Sequence, residues 1–195
     1  MNIYEVPLFP TLVMRFEDFL TEQQRQDIIF YTSSIEGISH NTLDGNALST
    51  HTTRNNILSE ISYMESCKDL KDMLYEALEL FSKKTCITFE NITNSWVNIQ
   101  NKGSKLIQHT HPNAAISAGL YLNIEDESNA LYFENPNPFI SFSPTTVRRS
   151  EYTFDYFYLK PKNRDLFLFP SWLKHGSKDQ ENQTDNRIVL SFNAV

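Results

Sequence analysis

The stretch Arg187-Ile188-Val189-Leu190-Ser191-Phe192-Asn193 carries the fold in its alternation. Side chains along a β-strand point to opposite faces in turn. Arg187, Val189, Ser191 and Asn193 therefore share one face, and Ile188, Leu190 and Phe192 share the other. Such a strand needs two different neighbours, an apolar layer such as packed helices on one side and a polar interior on the other. Working back towards the N-terminus, short runs rich in β-branched and aromatic residues recur at 87–89, 95–101, 105–109, 115–123, 130–134, 152–159 and 165–169. Turn material separates them: Asn101-Lys102-Gly103, Glu125-Asp126-Glu127-Ser128-Asn129, Pro136-Asn137-Pro138 and Lys160-Pro161-Lys162-Asn163. This punctuation predicts a mainly β fold, a double-sheet jelly roll. The segment 139–150 reads as a strand-containing insertion or a flap.

The first part of the chain follows a different period. Residues 2–16 alternate around two prolines and read as extended. Thr21 is a plausible N-cap and Gln24, three residues on, completes a capping box for a helix to about Tyr31. Leu70, Leu74, Ala77, Leu78 and Phe81 recur at three and four residues, the pattern of a helix buried on one face. Between these helices, 33–56 is polar, with Gly37 and Gly45, and reads as a long loop with one short strand, of the kind that serves as a binding lid. His40 and His51 lie in it and read as solvated loop residues. The expectation is one domain over 1–195, with helices in 1–86 packed on a jelly-roll core over 87–195.

Composition narrows the function. With 40% hydrophobic and 21% charged residues the chain resembles an ordinary globular domain. A net charge of −7 without a basic block argues against a general nucleic-acid partner. The N-terminus lacks the pattern of a signal peptide, and no stretch approaches a membrane span, so the expected setting is a reducing cytoplasm, or a host's cytoplasm for a phage-encoded protein. Cys67 and Cys86 fit neither a disulfide scaffold nor a CxxC motif and read as small apolar side chains. Homo-oligomerisation stays open. Five glycines leave no room for GxGxxG or GxxxxGK[ST], and GxSxG and HExxH are absent.

Chemistry concentrates in Gln108-His109-Thr110-His111-Pro112. On a strand, two histidines separated by one residue face the same way, and neutral imidazole is a good ligand for divalent transition metals. A third, His175, follows in Phe169-Pro170-Ser171-Trp172-Leu173-Lys174-His175, and Arg187 comes next in the ordered set.

Taken in order, these residues resemble a known family. The His109-Thr110-His111-Pro112 stretch, then Gly119-Leu120-Tyr121-Leu122-Asn123, then Leu166-Phe167-Leu168-Phe169-Pro170 ahead of His175, then Arg187 and a final strand are similar to the 2-oxoglutarate/Fe(II)-dependent oxygenases. Within them the likeness is to the prolyl-hydroxylase-like group and its short microbial and phage-borne members. The resemblance covers 95–195. It implies a double-stranded β-helix, Fe(II), 2-oxoglutarate and O2 as cosubstrates, and hydroxylation of a C–H bond in a small-molecule or peptidyl substrate. His109 matches the first metal ligand and His175 the distal one; no catalytic residue separate from the ligands is implied. Arg187 matches the residue that pairs with the distal carboxylate of 2-oxoglutarate, for which a guanidinium fork is suited. Ser191, Tyr121 and Asn98 are candidates for further contacts in that pocket.

The family's usual triad is two histidines and a carboxylate. Here His111 stands at the carboxylate's place. Either it is a third ligand, or it turns away and leaves a two-histidine site with an extra open position. Two other readings stay beside these: a cupin-like three-histidine iron dioxygenase that does not use 2-oxoglutarate, and a non-catalytic binding or structural jelly roll. Neither requires a buried arginine at position 187.

Overall fold

The computed structural model describes residues 3–4, 6, 8–142, 150 and 152–195. The chain enters through β1 (Met14–Phe16) and α1 (Glu22–Ser33). Thr21 caps α1 as expected: its hydroxyl accepts from the Gln24 N–H, and the Gln24 side chain accepts from the Thr21 N–H. The polar segment that follows contains β2 (Leu43–Asp44) and β3 (Ala47–Ser49). Next come α2 (Ile57–Ile61), a 3-10 turn at Glu65–Cys67 and α3 (Leu70–Thr85), whose buried face is Leu70, Leu74, Ala77, Leu78 and Phe81.

The β half runs β4 (Ile92–Gln100), β5 (Lys105–Leu106), β6 (Ile116–Asn123), β7 (Leu131–Glu134), β8 (Tyr156–Leu159), β9 (Leu166–Pro170), β10 (His175–Gly176) and β11 (Arg187–Ala194). Six strands form an antiparallel sheet in the order β1-β9-β6-β11-β4-β3, and three form a smaller one in the order β10-β7-β8. A two-stranded sheet pairs β2 with β5. With the helices, this is the mainly β, jelly-roll architecture expected.

Alternation decides what each face of the large sheet meets. Ile116, Ala118, Leu120, Leu122, Leu166, Leu168, Ile188, Leu190 and Phe192 form one buried cluster with the helical residues Ile28, Ile57, Ile61, Leu70, Leu74, Leu78 and Phe81. The intervening residues Tyr121, Phe167, Phe169 and Val189 face the other way and pack with Leu131, Phe133 and Leu173 of the smaller sheet's side. The central strands are thus covered on both faces, and each buried aliphatic side chain contributes about 1.5–3 kcal/mol.

Several expectations need correction. Residues 87–89 are not a strand. Cys86 adopts a left-handed conformation (φ 57°) that ends α3, and Ile87 and Phe89 pack on the helical cluster without a ladder partner. Cys86 itself is exposed, whereas Cys67 is buried. The run 105–109 shortens to β5, and His109 makes only an isolated bridge to His175. The strand expected at 152–159 begins at Tyr156. Of the segment 139–150, Pro138–Phe142 contains a 3-10 turn, and 143–149 lies outside the described residues. Among the described residues no helix is long and apolar enough to cross a membrane.

Candidate active site

Between the two larger sheets lies a cavity of about 360 Å³. The three histidines of the candidate metal set meet on its wall, their ligand nitrogens all within 4.8 Å of one another. Backbone hydrogen bonds bring them together. His109 N–H donates to the His175 carbonyl at 3.0 Å and His175 N–H to the His109 carbonyl at 3.1 Å, a single antiparallel bridge. Gly176 permits that approach: a Cβ there would stand 2.8 Å from the Leu106 carbonyl oxygen and 3.1 Å from the Gln108 backbone. The His111 N–H donates to the Ser171 carbonyl at 2.9 Å.

Ring orientation is fixed in the same way. The Nδ1 of His109 lies 2.7 Å from the Ile107 carbonyl, and the Nδ1 of His175 lies 2.9 Å from the Leu173 carbonyl. A carbonyl only accepts, so these contacts put each proton on Nδ1 and leave Nε2 with its lone pair. The Nε2 of His111 stands 3.2 Å from that of His175, the two rings only 9° from parallel. With no ion bound, a neutral His111 that carries its proton on Nε2 donates to the His175 lone pair, and a cation would take that proton's place between the two nitrogens.

The site's electrostatics favour neutral rings. Burial, then the neighbouring His109 and His51, pushes His111 down to about 3. Burial also lowers His109, and burial with its two neighbours takes His175 well below its ordinary value. Three neutral nitrogen donors converging on one point suit a borderline divalent metal such as ferrous iron.

The metal-free protein is expected to lose stability in acid. An unfolded histidine takes its proton near pH 6.5, whereas His175, 4% exposed, resists it in the fold. Between the two values the unfolded chain holds more protons. The stability is therefore full above about pH 6.5 and falls as pH drops below it, by up to about 1.4 kcal/mol per pH unit for a histidine kept neutral. Urea unfolding of the metal-free protein at pH 7.5 and 5.5 measures this as a lower midpoint in acid. Equal midpoints would show that His175 protonates freely in the fold.

The same cavity holds Arg187, Ser191, Tyr121 and Asn98. Arg187 is buried, and burial lowers its pKa, which leaves the guanidinium charged in a poorly solvated place. One terminal nitrogen donates to the Gln100 side-chain oxygen at 2.7 Å, and the guanidinium carbon lies 5.6 Å from the Tyr121 ring centre. Its Nε has no partner, and among the described residues no carboxylate pairs with it. Burial raises the Tyr121 hydroxyl to about 12, so it is a neutral donor. The arginine sits at the start of β11, in register with Gln100 on β4, so parity brings Asn98 and Gln100 to the same lining.

The lining also includes residues that spacing did not reveal. His40 and His51 are not solvated loop residues: their rings lie 4.9 Å apart, and His51 meets Trp96 edge-on at 4.7 Å. Trp96 in turn lies 5.7 Å from His111. All five histidines of the chain thus line one cavity. No sequence signal joins His40 or His51 to the triad. Gln100 was within reach of parity, two residues beyond Asn98.

Comparison with known proteins bears on this arrangement. A family model described as "Putative 2OG-Fe(II) oxygenase" matches residues 94–193. No curated protein sequence matches the chain. Among solved structures, a Pseudomonas putida prolyl-4-hydroxylase is similar at 11% identity over 94% of this chain and 92% of its own, with a TM-score of 0.64. The viral collagen prolyl hydroxylase of Paramecium bursaria Chlorella virus-1, in complex with 2-oxoglutarate, is similar at 12% identity over 93% of this chain and 94% of its own, TM-score 0.55. HygX from Streptomyces hygroscopicus, with nickel, 2-oxoglutarate and hygromycin B bound, is similar at 9% identity over 94% and 82%, TM-score 0.62.

Proposed function

The chain belongs to the 2OG-Fe(II) oxygenase family, and from that premise we propose that His109, His111 and His175 hold its iron while Arg187 anchors 2-oxoglutarate. The protein is an Fe(II)- and 2-oxoglutarate-dependent oxygenase. The observation that carries the assignment of residues is the buried, carboxylate-free guanidinium of Arg187 in the same cavity as three converging neutral imidazoles. A buried charge without a counter-charge is costly, and a dicarboxylate cosubstrate supplies the missing one. The three-histidine dioxygenase without 2-oxoglutarate and the non-catalytic jelly roll leave that guanidinium without a purpose.

When bound, iron and 2-oxoglutarate supply the oxidising chemistry: O2 is consumed, 2-oxoglutarate becomes succinate and CO2, and a substrate C–H bond is hydroxylated. The chain's residues bind, orient and exclude water. The two carbonyls at Ile107 and Leu173 hold the rings of His109 and His175 with Nε2 towards the metal. Trp96 supports His111, and Phe169, 4.6 Å from the His175 ring, closes the apolar side of the site. Tyr121, Ser191 and Asn98 offer hydrogen bonds beside Arg187 in the cosubstrate pocket. The substrate is a small molecule or a peptide, the two classes that similar structures hold.

His111 completes the metal face in place of the family's carboxylate. Its Nε2 lies 3.2 Å from that of His175, so a cation replacing the proton shared there would meet both nitrogens. Anaerobic titration with Fe(II) and then 2-oxoglutarate tests the assignment through the visible charge-transfer band of the ternary complex. The parent develops the band. His111→Ala loses iron affinity by at least about tenfold, the least that even an outer-shell partner costs. His111→Asp, which restores two histidines and a carboxylate, retains the band. Iron content in His111→Ala equal to the parent's would remove His111 from the ligand set.

A further inference from the structure

The cavity is longer than the cosubstrate needs. Its Arg187 end is marked by the Arg187–Gln100 pair, and its other end by the Asn193–Asn94 pair on the same two strands. Six residues separate them along β11, about 20 Å at roughly 3.3 Å per residue. A five-carbon dicarboxylate spans about 7 Å, less than two Cα–Cα spacings. 2-Oxoglutarate held at Arg187 cannot reach the Asn94 end.

That end is polar and incompletely paired. Asn94 Oδ1 and His51 Nδ1 are buried without a hydrogen-bond partner. Burying such atoms unpaired is costly, and native proteins rarely do so without a ligand or water to meet them. Asn94 and Trp96 share a face of β4 by alternation, and Trp96 touches both His51 and His111. This end of the cavity is therefore continuous with the histidine cluster. Its charge is also informative. Among the described residues the cavity lining carries one formal charge, Arg187, at the far end. Burial keeps His51 largely neutral. A second anion or a cation would find no counter-charge there.

We infer that the Asn94 end is the substrate-binding wing, that it selects a neutral ligand whose groups both donate and accept hydrogen bonds, and that Asn94 and His51 are its specificity-determining contacts. The inference rests on the assignment of the Arg187 end to 2-oxoglutarate. A carboxamide offers an NH2 donor group and an oxygen acceptor whichever way it is turned, and a neutral imidazole has one N–H donor and one nitrogen acceptor. Their natural complements are amides and hydroxyls.

The test uses protein loaded anaerobically with Fe(II) and 2-oxoglutarate, so that no turnover occurs. Three probes are titrated by ligand-observed NMR: N-acetylglycine N′-methylamide, a neutral diamide; myo-inositol, a neutral polyol; and N-acetylglycine, the anionic counterpart of the first. One of the two neutral probes binds, which tells amide from hydroxyl, and the anion does not bind at the same concentration. Asn94→Ser and His51→Phe each weaken that probe roughly three- to ten-fold, the loss of one hydrogen bond, while 2-oxoglutarate affinity stays at the parent's value. His51→Phe keeps the ring that packs on Trp96, and the unchanged cosubstrate affinity certifies both variants as folded. Failure of both neutral probes, equal binding of the anion, or variants that bind the probe as the parent does would overturn the inference alone. Variants that lose 2-oxoglutarate instead would move Asn94 and His51 into the cosubstrate pocket and overturn it too. Absence of the charge-transfer band in the parent would overturn the underlying assignment, and this inference with it.

Discussion

Arg187→Met is expected to lose 2-oxoglutarate while keeping its iron. Removing one partner of a buried charge pair costs on the order of 2–5 kcal/mol, so the cosubstrate dissociation constant rises by at least about 30-fold. The same change has the opposite tendency in the unliganded protein. Arg187 is 5% exposed, its Nε is unpaired, and the described residues offer it no carboxylate. An apolar side chain of similar length relieves that uncompensated charge, and stability without ligand is expected to hold or rise. Thermal unfolding with and without 2-oxoglutarate reads both effects. The parent gains stability with cosubstrate and the variant does not. An unchanged cosubstrate affinity in Arg187→Met would refute the anchor.

His175→Gln is expected to abolish stoichiometric iron binding and, with it, 2-oxoglutarate consumption. His175 is the most enclosed of the three rings, and its Nε2 keeps its lone pair because Nδ1 donates to the Leu173 carbonyl. Loss of an outer-shell partner alone costs about 10–100-fold in metal affinity, and removal of the ligand itself should exceed that. Glutamine preserves much of the volume and can meet the Leu173 carbonyl with its amide, so the fold is expected to survive. Metal analysis after desalting, alongside circular dichroism, separates loss of the site from loss of structure. Stoichiometric iron in a folded His175→Gln would exclude His175 from the metal set.

The long elements were legible because each meets different surroundings on its two sides. Ile188, Leu190 and Phe192 had to find the helices, and Arg187, Ser191 and Asn193 had to face something polar. α3 could be read for the same reason, from a stripe confined to one face. The run 87–89 misled because Ile87 and Phe89 alternate like a strand. Their burial is supplied by helices, and the left-handed turn at Cys86 that sends them there leaves no mark on hydrophobic pattern. The histidine stretch was legible in its chemistry but not in its backbone. His109 and His111 reach the same point although only His109 makes a bridge, because Gly176 lets the 105–109 segment lie against His175. His40 and His51 were out of reach altogether. Their place beside Trp96 is a contact between distant segments, with no period or spacing to announce it.

The bridge between His109 and His175 has a consequence for which ion the protein carries. On the proposed assignment, backbone bonds and the two ring-to-carbonyl contacts assemble the three nitrogens before any ion arrives. Such a face is tuned to no single coordination preference. Nickel, copper and zinc bind nitrogen donors more tightly than ferrous iron does, and nothing in a neutral three-imidazole set reverses that order. Occupancy by the working ion is then decided by relative abundance rather than by the pocket. A preparation made in zinc-rich medium will be filled and idle, and exchange of its metal will be the step that restores turnover.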